Sequence, residues 1–538
     1  MDKKELQSVT SKIWAMANEL RGNMDAGEFK NYILAFLFYR YLSERQEDYL
    51  LNAGLVFLEE GESINDVYTR DAGGEHLEDY LIDIASSIGY AIAPRDTWAS
   101  LTERINDAEV VPSDYLEIFD HFNENVMLNK DAAKDFRGVF SDINLSDSRL
   151  GANINARTKS LNNIVQLIDT IEYKDQDGRD ILGEIYEFLI GQFAASAGKK
   201  GGEFYTPHQV SKILAKLVTM NREVSEEAFT VYDPTMGSGS LLLTVKNELP
   251  GGDSFGAVQF HGQELNTTTY NLARMNLMMH DISYNNMTLK NADTLEEDWP
   301  DGEDEQGIDR PRSFDAVVAN PPYSARWDNH ERKLKDPRFQ EYGRLAPKSK
   351  ADFAFVLHSL YHLNHSGTMA IVLPHGVLFR GGAEEAIRKA LIEKNYLDGV
   401  IGLPANLFYG TGIPTCILVF KKNKTNKDIF FIDASEEFDS IRNQNVLSDA
   451  HVEKIVETYN NREFVDKYAY LASIEEIKEN DYNLNIPRYV DTFEEEEPID
   501  LNEVHRQMAK TDKEIAELEE EINAQLKELG IDLSHLLG

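Results

Sequence analysis

Through the first 170 residues, apolar positions recur at three- and four-residue steps. Phe29, Ile33, Phe36 and Leu37 fall on one such face, and the charged run Ser43–Asp48 follows them. That spacing predicts helices. Apolar patches at Leu77–Ile88 and Tyr115–Phe122 are joined by Gly/Asp/Ser/Pro segments that read as turns. No catalytic signature stands out here, and the plain reading is a helical docking or clamping domain. The middle of the chain changes rhythm. Short β-rich runs at Phe229–Tyr232, Val258–His261, Met287–Leu289, Phe314–Ala319, Thr368–Leu373, Leu397–Ile401 and Pro414–Phe420 alternate with helical stretches. Lys421–Lys427 then reads as a turn before a further strand, Ile429–Ile432. Such alternation predicts a doubly wound α/β sheet with ligands at the carboxyl ends of its strands.

Beyond about residue 475 the chain turns polar, and Glu494–Glu497 with Pro498 read as a solvated linker. Leu501, Val504, Met508, Ile515, Leu518, Ile522 and Leu529 then fall on alternating three- and four-residue steps, with Thr511 and Gln525 as polar exceptions. A narrow stripe flanked by Glu and Lys predicts a coiled-coil helix that packs on another chain, against the alternative of one folding back onto this chain. The expected division is a helical front at 1–170, an α/β domain at 171–475, and a linker with a coiled-coil helix at 476–538. The length of 538 residues fits three or four units at about 150 residues each.

Composition narrows the choices. With 42% hydrophobic residues the chain fills real cores. Its one cysteine, Cys416, excludes a disulfide scaffold or a Cys-cluster zinc site and fits a reducing cytoplasm. The opening MDKKELQSVTSKIW lacks the apolar core of a signal peptide, and no apolar run is long enough to span a membrane. The formal net charge is −39, from 54 Lys+Arg against 93 Asp+Glu. A chain so acidic is repelled by nucleic acid as a whole, so action on DNA needs a local basic surface or a basic partner.

Two segments carry chemistry. FDAVVANPPY ends a buried β-run in Asn320-Pro321-Pro322-Tyr323. The prolines stop the strand and fix φ, which holds Asn320 and Tyr323 on a stiff turn at the sheet edge. The Asn320 side chain and its backbone carbonyl offer two acceptors, and Tyr323 an aromatic plate; together they suit a planar amino group on a π-system. Accepting both hydrogens draws that nitrogen towards sp³ and frees its lone pair. Upstream, VYDPTMGSG at 231–239 follows a strand and precedes a helix. Gly237 and Gly239 let the backbone approach a ligand, the helix amino terminus favours a carboxylate, and Asp233 faces an ammonium. These groups suit the amino-acid part of S-adenosylmethionine. Leu242 stands where a dinucleotide fingerprint has its third glycine, which argues against a nicotinamide dehydrogenase. Glu264, ending the next strand, is placed for ribose hydroxyls, and Asp293, after the third, for an adenine amino group.

These segments together resemble the amino-methylating DNA methyltransferases, and closely the modification subunit of type I restriction–modification systems. GGEFYTPHQV at 201–210, DPTMGSGSLL and NPPY carry the likeness. So do VLPHGVLFRGG at 372–382, LFYGTGIPTCILVF at 407–420 and NIPRYV at 485–490. The order, FYTP before the glycine loop and NPPY after it, is that of the group methylating adenine N6. The resemblance implies a Rossmann-like methyltransferase sheet with Phe204, Tyr205, Thr206 and Pro207 around the cofactor. It places Asp233, Gly237, Ser238 and Gly239 at the methionine end, Glu264 at the ribose and Asp293 at the adenine. Asn320, Pro321, Pro322 and Tyr323 would hold an adenine rotated out of the duplex. No metal is implied, and His375 reads as structural. The implied partners are DNA, a specificity (S) subunit with two methylating chains per copy, and a restriction (R) subunit, in the cytoplasm. The basic run Arg326, Arg332, Lys333, Lys335, Arg338, Arg344, Lys348 and Lys350 is a candidate for phosphate contacts, against the alternative of a charged surface loop. Competing readings are a protein glutamine-amide methyltransferase, since NPPY suits any planar amide nitrogen, and a cofactor-binding scaffold without catalysis.

Overall fold

The computed structural model describes residues 10–11, 13–15, 18, 24, 26–172, 181–197, 206–222, 227–254, 256–297, 312–408, 411–441, 444–492 and 501–529. Phe204, Tyr205 and the Glu494–Pro498 linker lie outside them. The chain divides into two compact units, residues 1–490 and 491–538.

Within the first unit, the strands β1 (Phe229–Asp233), β2 (Val258–Glu264), β3 (Met287–Asn291), β4 (Phe314–Ala319), β5 (Leu363–Pro374), β6 (Leu397–Gly402), β7 (Thr415–Lys421) and β8 (Ile429–Asp433) join one sheet. Two short strands, β9 (Asp439–Ile441) and β10 (Gln444–Val446), pair only with each other, and β11 (Ala469–Ala472) adds to the edge beside β8. The sheet runs β3-β2-β1-β4-β5-β7-β6-β8-β11. Its first five strands are parallel, whereas β7 lies antiparallel between β5 and β6. The order reverses between β1 and β4, so a crevice opens outside their carboxyl ends.

The strands read as apolar runs because both faces of the sheet are covered. Val231, Ala316, Val318, Ala370 and Val372 enter one core, while their neighbours Tyr232, Val317, Ala319, Met369 and Ile371 enter the other. Period-two alternation thus sorts side chains between two cores rather than between core and water. The first of these cores continues into the front helices. Helix α1 (Ala26–Asn52) contributes Phe29, Ile33, Phe36 and Leu37 to the core that holds Val231 and Ala316. The predicted patch at Leu77–Ile88 is a helix over those residues, and Tyr115–Phe122 lies within another, Pro112–Val126. Helix α2 (Leu182–Ala197) packs along α1 and along α3 (Thr267–Met279). Asn266 caps α3 by accepting from Thr269 N–H at 3.1 Å, which starts that helix directly after β2.

Two cations of the basic run are turned inward. Nζ of Lys333 donates to the carbonyl of Leu295 at 2.9 Å and pairs with Glu296 at 2.7 Å. Arg338 is buried, donating to the carbonyl of Thr294 at 2.8 Å and pairing with Asp336. Both side chains are buried on these partners and are not open to a phosphate. Arg326, Lys335, Arg344 and Lys348 stay exposed.

In the second unit, helix Leu501–Glu528 carries the apolar stripe, and its Val504, Met508, Ile515, Leu518 and Ile522 are exposed. Among the described residues no helix is long and apolar enough to cross a membrane.

Candidate functional site

A cavity of about 580 Å³ opens at the carboxyl ends of β1, β2, β3 and β4. That volume falls within the range of roughly 300–1,000 Å³ usual for small-molecule sites. One wall is the loop that joins β1 to helix Ser240–Glu248. Asp233, Gly237 and Ser238 line it. The loop is fixed by its main chain: Met236 N–H donates to the carbonyl of Gln263 at 3.0 Å, and Asn276 of α3 donates to that of Ser238 at 3.0 Å. Gly239 stands at the helix entrance with φ at +78°, and a Cβ there would lie 2.5 Å from Cδ1 of Leu277. Its role is to let this helix meet α3, which brings Thr269 and Leu272 to the cavity.

Three carboxylates reach the same space. Asp233 is 1% exposed, and its Oδ1 accepts from Thr235 N–H at 2.9 Å. Burial pushes its carboxyl up to about 7, a rise that Glu264 reinforces and the Thr235 N–H opposes. Glu264 accepts from Gly237 N–H at 3.2 Å and from Asn266 N–H at 2.8 Å, so it braces the glycine loop from β2. Asp293 accepts from Leu295 N–H at 2.9 Å. Beside it, the Thr294 hydroxyl donates to the carbonyl of Pro234 at 2.6 Å, tying this edge back to the loop.

The opposite wall is the turn after β4. Asn320 and Pro322 line the cavity. Nδ2 of Asn320 donates to the Thr206 hydroxyl at 2.9 Å, and Oδ1 accepts from the Tyr323 hydroxyl at 2.9 Å. The amide is thus oriented from both ends, and its oxygen keeps a second lone pair. Pro321 is buried behind it, and the Tyr323 ring packs edge-on against Phe408 with centroids 5.9 Å apart. Burial, with Cys416 and Asp352 close by, raises the Tyr323 hydroxyl well above its usual range, so it remains a donor.

The structure therefore brings Thr206, Asp233, Gly237, Ser238, Glu264, Asp293, Asn320 and Pro322 to one cavity. Gly239 supports the glycine-loop wall and Tyr323 the β4 wall, each from behind. Pro207 instead caps helix His208–Thr219 and borders a second, larger cavity of about 1,080 Å³. Four lining residues had no signal of their own in the sequence. Lys30 of α1, Ile190 and Ala194 of α2, and Phe355 of helix α4 (Asp352–Tyr361) complete the wall. The spacing of Ile190 and Ala194, one helical turn apart, is their only local trace.

The buried acid, the glycine loop and the acidic strand ends fit S-adenosylmethionine, whose ammonium, carboxylate and ribose need those partners. A Cβ at Gly237 would meet nothing within 4 Å, so the space in front of the loop is open.

The chain is similar to known proteins. Residues 177–498 match the family model described as N-6 DNA Methylase, and residues 9–168 match that of the HsdM N-terminal domain. The methylase subunit of the type I restriction enzyme MpnII from Mycoplasma pneumoniae is 38% identical over 99% of this chain and 98% of its own. The HindI methylase subunit of Haemophilus influenzae is 32% identical over 66% of this chain and 79% of its own. The crystal structure of a type I restriction-modification methyltransferase subunit from Streptococcus thermophilus superposes with a TM-score of 0.82. It is 46% identical and covers 91% of this chain and all of that one.

Proposed function

Because the chain belongs to the N-6 DNA methylases, as a methylase subunit of the type I restriction–modification kind, we propose that its cavity holds S-adenosylmethionine beside an adenine turned out of DNA. Asn320 then grips that adenine's N6 while it receives the methyl group. The observation that carries this reading is the Thr206–Asn320–Tyr323 hydrogen-bond chain on the wall that faces Asp233, Gly237 and Glu264.

When bound, the cofactor supplies an electrophilic methyl group on a sulfonium. The protein's work is placement. Asp233 meets the ammonium and the Gly237–Ser238 backbone the carboxylate, while Glu264 takes the ribose hydroxyls and Asp293 the adenine edge. On the acceptor side, Oδ1 of Asn320 and its backbone carbonyl accept the two N6 hydrogens. Pro321 offers no N–H to compete. This grip draws N6 towards sp³ and aims its lone pair at the methyl. As the N6–C bond forms, the methyl–sulfur bond would break to leave a thioether, and one N6 proton would pass to water or an accepting carbonyl. Holding two reactants in line thus supplies most of the acceleration. The extruded base costs a few kcal/mol of stacking, which contacts in the cavity offset.

Target reading is delegated to a specificity subunit, two methylating chains to one, and a restriction subunit joins the larger cytoplasmic assembly. The net charge of −39 and the exposed apolar stripe on Leu501–Glu528 support that division. The test is transfer of labelled methyl to DNA by this chain alone and with its co-expressed specificity subunit, with Asn320→Ala as control. Label should reach adenine N6 only with the partner present, and not in the variant. Transfer by the chain alone would overturn the delegation. Label on protein instead of DNA would favour a glutamine-amide substrate.

A further inference from the structure

Behind the Asn320–Tyr323 turn lies a cluster of buried charge that none of these roles uses. Directly after Tyr323 the chain passes through Ser324 with φ at +51°, a left-handed conformation that a residue with a Cβ seldom adopts. Its N–H donates to Oδ1 of Asp352 at 2.8 Å. The second oxygen of that carboxylate accepts from Nη2 of Arg380 at 2.5 Å. Arg380 continues to Glu384, with Nε 2.8 Å from Oε2 and Nη2 2.9 Å from Oε1. The side chains of Asp352 and Glu384 are 0% and 3% exposed, and that of Arg380 is 19% exposed.

Two carboxylates and one guanidinium taken out of water are an expensive arrangement, and apolar residues of similar volume would stabilise such a spot as well or better. Their location gives them a use. Arg380 is held in turn by Arg388, whose Nη1 donates to its carbonyl at 3.0 Å, and the guanidinium of Arg380 lies against Gly376, where a Cβ would come within 2.8 Å of Nη1. Asp352 opens α4, one turn before the cavity residue Phe355. The same point closes the neck of the loop 324–350. There Ala351 N–H donates to the carbonyl of Ala325 at 2.9 Å, and Trp327 N–H to that of Lys348 at 3.1 Å.

We propose that Asp352 and Arg380 are positioning residues for methyl transfer: their ion pair, acting through Ser324 N–H, holds the backbone step that aims Tyr323, and through it the Asn320 amide, at the acceptor base. The linkage is continuous. Arg380 fixes the Asp352 carboxylate, the carboxylate fixes Ser324, and Ser324 sets where the Tyr323 hydroxyl meets Oδ1 of Asn320. Asp352 also helps keep that hydroxyl protonated and therefore donating, secondary to burial.

The inference rests on Asn320 as the adenine grip, and the experiment separates the two. Single-turnover methyl transfer and S-adenosylmethionine affinity are measured on the chain co-purified with its specificity subunit, for the parent, Asp352→Ala, Asp352→Asn, Arg380→Lys and Asn320→Ala. Asp352→Ala should slow the single-turnover rate about 100-fold, the usual cost of a misplacement near 1 Å, with cofactor affinity within about two-fold. Asp352→Asn keeps an acceptor for Ser324 and loses only the charge, so about ten-fold is expected, and Arg380→Lys, which keeps the charge but not the fork, should retain part of the parent rate. If Asp352→Ala fails to fold, the two conservative variants carry the test. Parent-like rates in the Asp352 and Arg380 variants, or rates and cofactor affinity falling in step with thermal stability, would overturn the positioning role. An active Asn320→Ala would remove the grip itself, and the inference with it.

Discussion

Where β1, β2 and β3 end, the groups facing the cavity are held by main-chain atoms; where β4 ends, they are held by other side chains. On the first wall Gly237, Thr235, Asn266 and Leu295 donate backbone N–H groups to three carboxylates. On the second, a line from Thr206 through Asn320 and Tyr323 to Ser324, Asp352 and Arg380 sets one amide. Main-chain donors survive most substitutions, whereas a side-chain relay can be cut at any link. The first wall should therefore govern how tightly the cofactor is held, and the second how fast the methyl moves.

The largest effect tests the second wall. Asn320→Ala should lower single-turnover transfer by at least about 10²- to 10³-fold, the scale seen when one preorganised polar contact to the reacting centre is lost. Cofactor affinity, read by calorimetry, should change less than about two-fold. A comparable loss of affinity would erase the distinction between the walls. Asp352→Ala follows at about 100-fold. Next comes Gly239→Ala on the first wall. Its Cβ would sit at φ +78° and 2.5 Å from Leu277, so roughly 2 kcal/mol of stability should go, and combined with Leu277→Ala the two losses should sum to less than their separate values.

A pH series sharpens the first wall further. Asp233 is raised to about 7 against about 4 in an unfolded chain, so between those values the folded state holds the extra proton. Its contribution to stability is full below pH 4 and is lost as pH climbs towards 7. An ammonium ligand prefers the ionised form. Affinity for S-adenosylmethionine should therefore rise about ten-fold from pH 6 to pH 8, and Asp233→Asn should flatten the profile. The smallest effect on either wall should come from deleting residues 500–538. Co-purification with the specificity subunit should fail while cofactor affinity stays the same. Undiminished co-purification would leave the exposed stripe without its assigned partner.

Legibility in the sequence followed the same line. The glycine loop, the acidic strand ends and the Asn320–Tyr323 turn were readable because each is a local pattern: a strand, a stop and a chemistry-bearing residue within ten positions. Lys30, Ile190, Ala194 and Phe355 were not, since they reach the cavity by tertiary packing from helices with no motif of their own. The Asp352–Arg380–Glu384 cluster had no signal of its own, because nothing in one sequence marks which carboxylate a distant arginine meets. Lys333 and Arg338 misled in the opposite sense. A basic run predicts a solvated face, yet the carbonyls of Leu295 and Thr294 and two nearby acids satisfy both inside the fold. The strand Thr368–Leu373 was recognised by its apolar centre, while β5 begins at Leu363, in polar residues that only its pairing with β4 reveals.

A loop closed at its neck can change length without moving what it hangs from. Ala325 and Ala351 clasp the ends of 324–350, and Gly343 near its tip is exposed with φ at +70°. Residues inserted there would lengthen only this exposed turn, because Arg338 and Phe339 before it and Ala346 after it are buried, and a flexible insert costs about 0.6 kcal/mol for each doubling. The tip is accordingly a grafting point. A dye, a cross-linking side chain or a foreign segment placed at Gly343 would sit beside Lys394, which pairs with Glu341 and lies over the Tyr342 ring just before β6, with the clasp at the neck left intact.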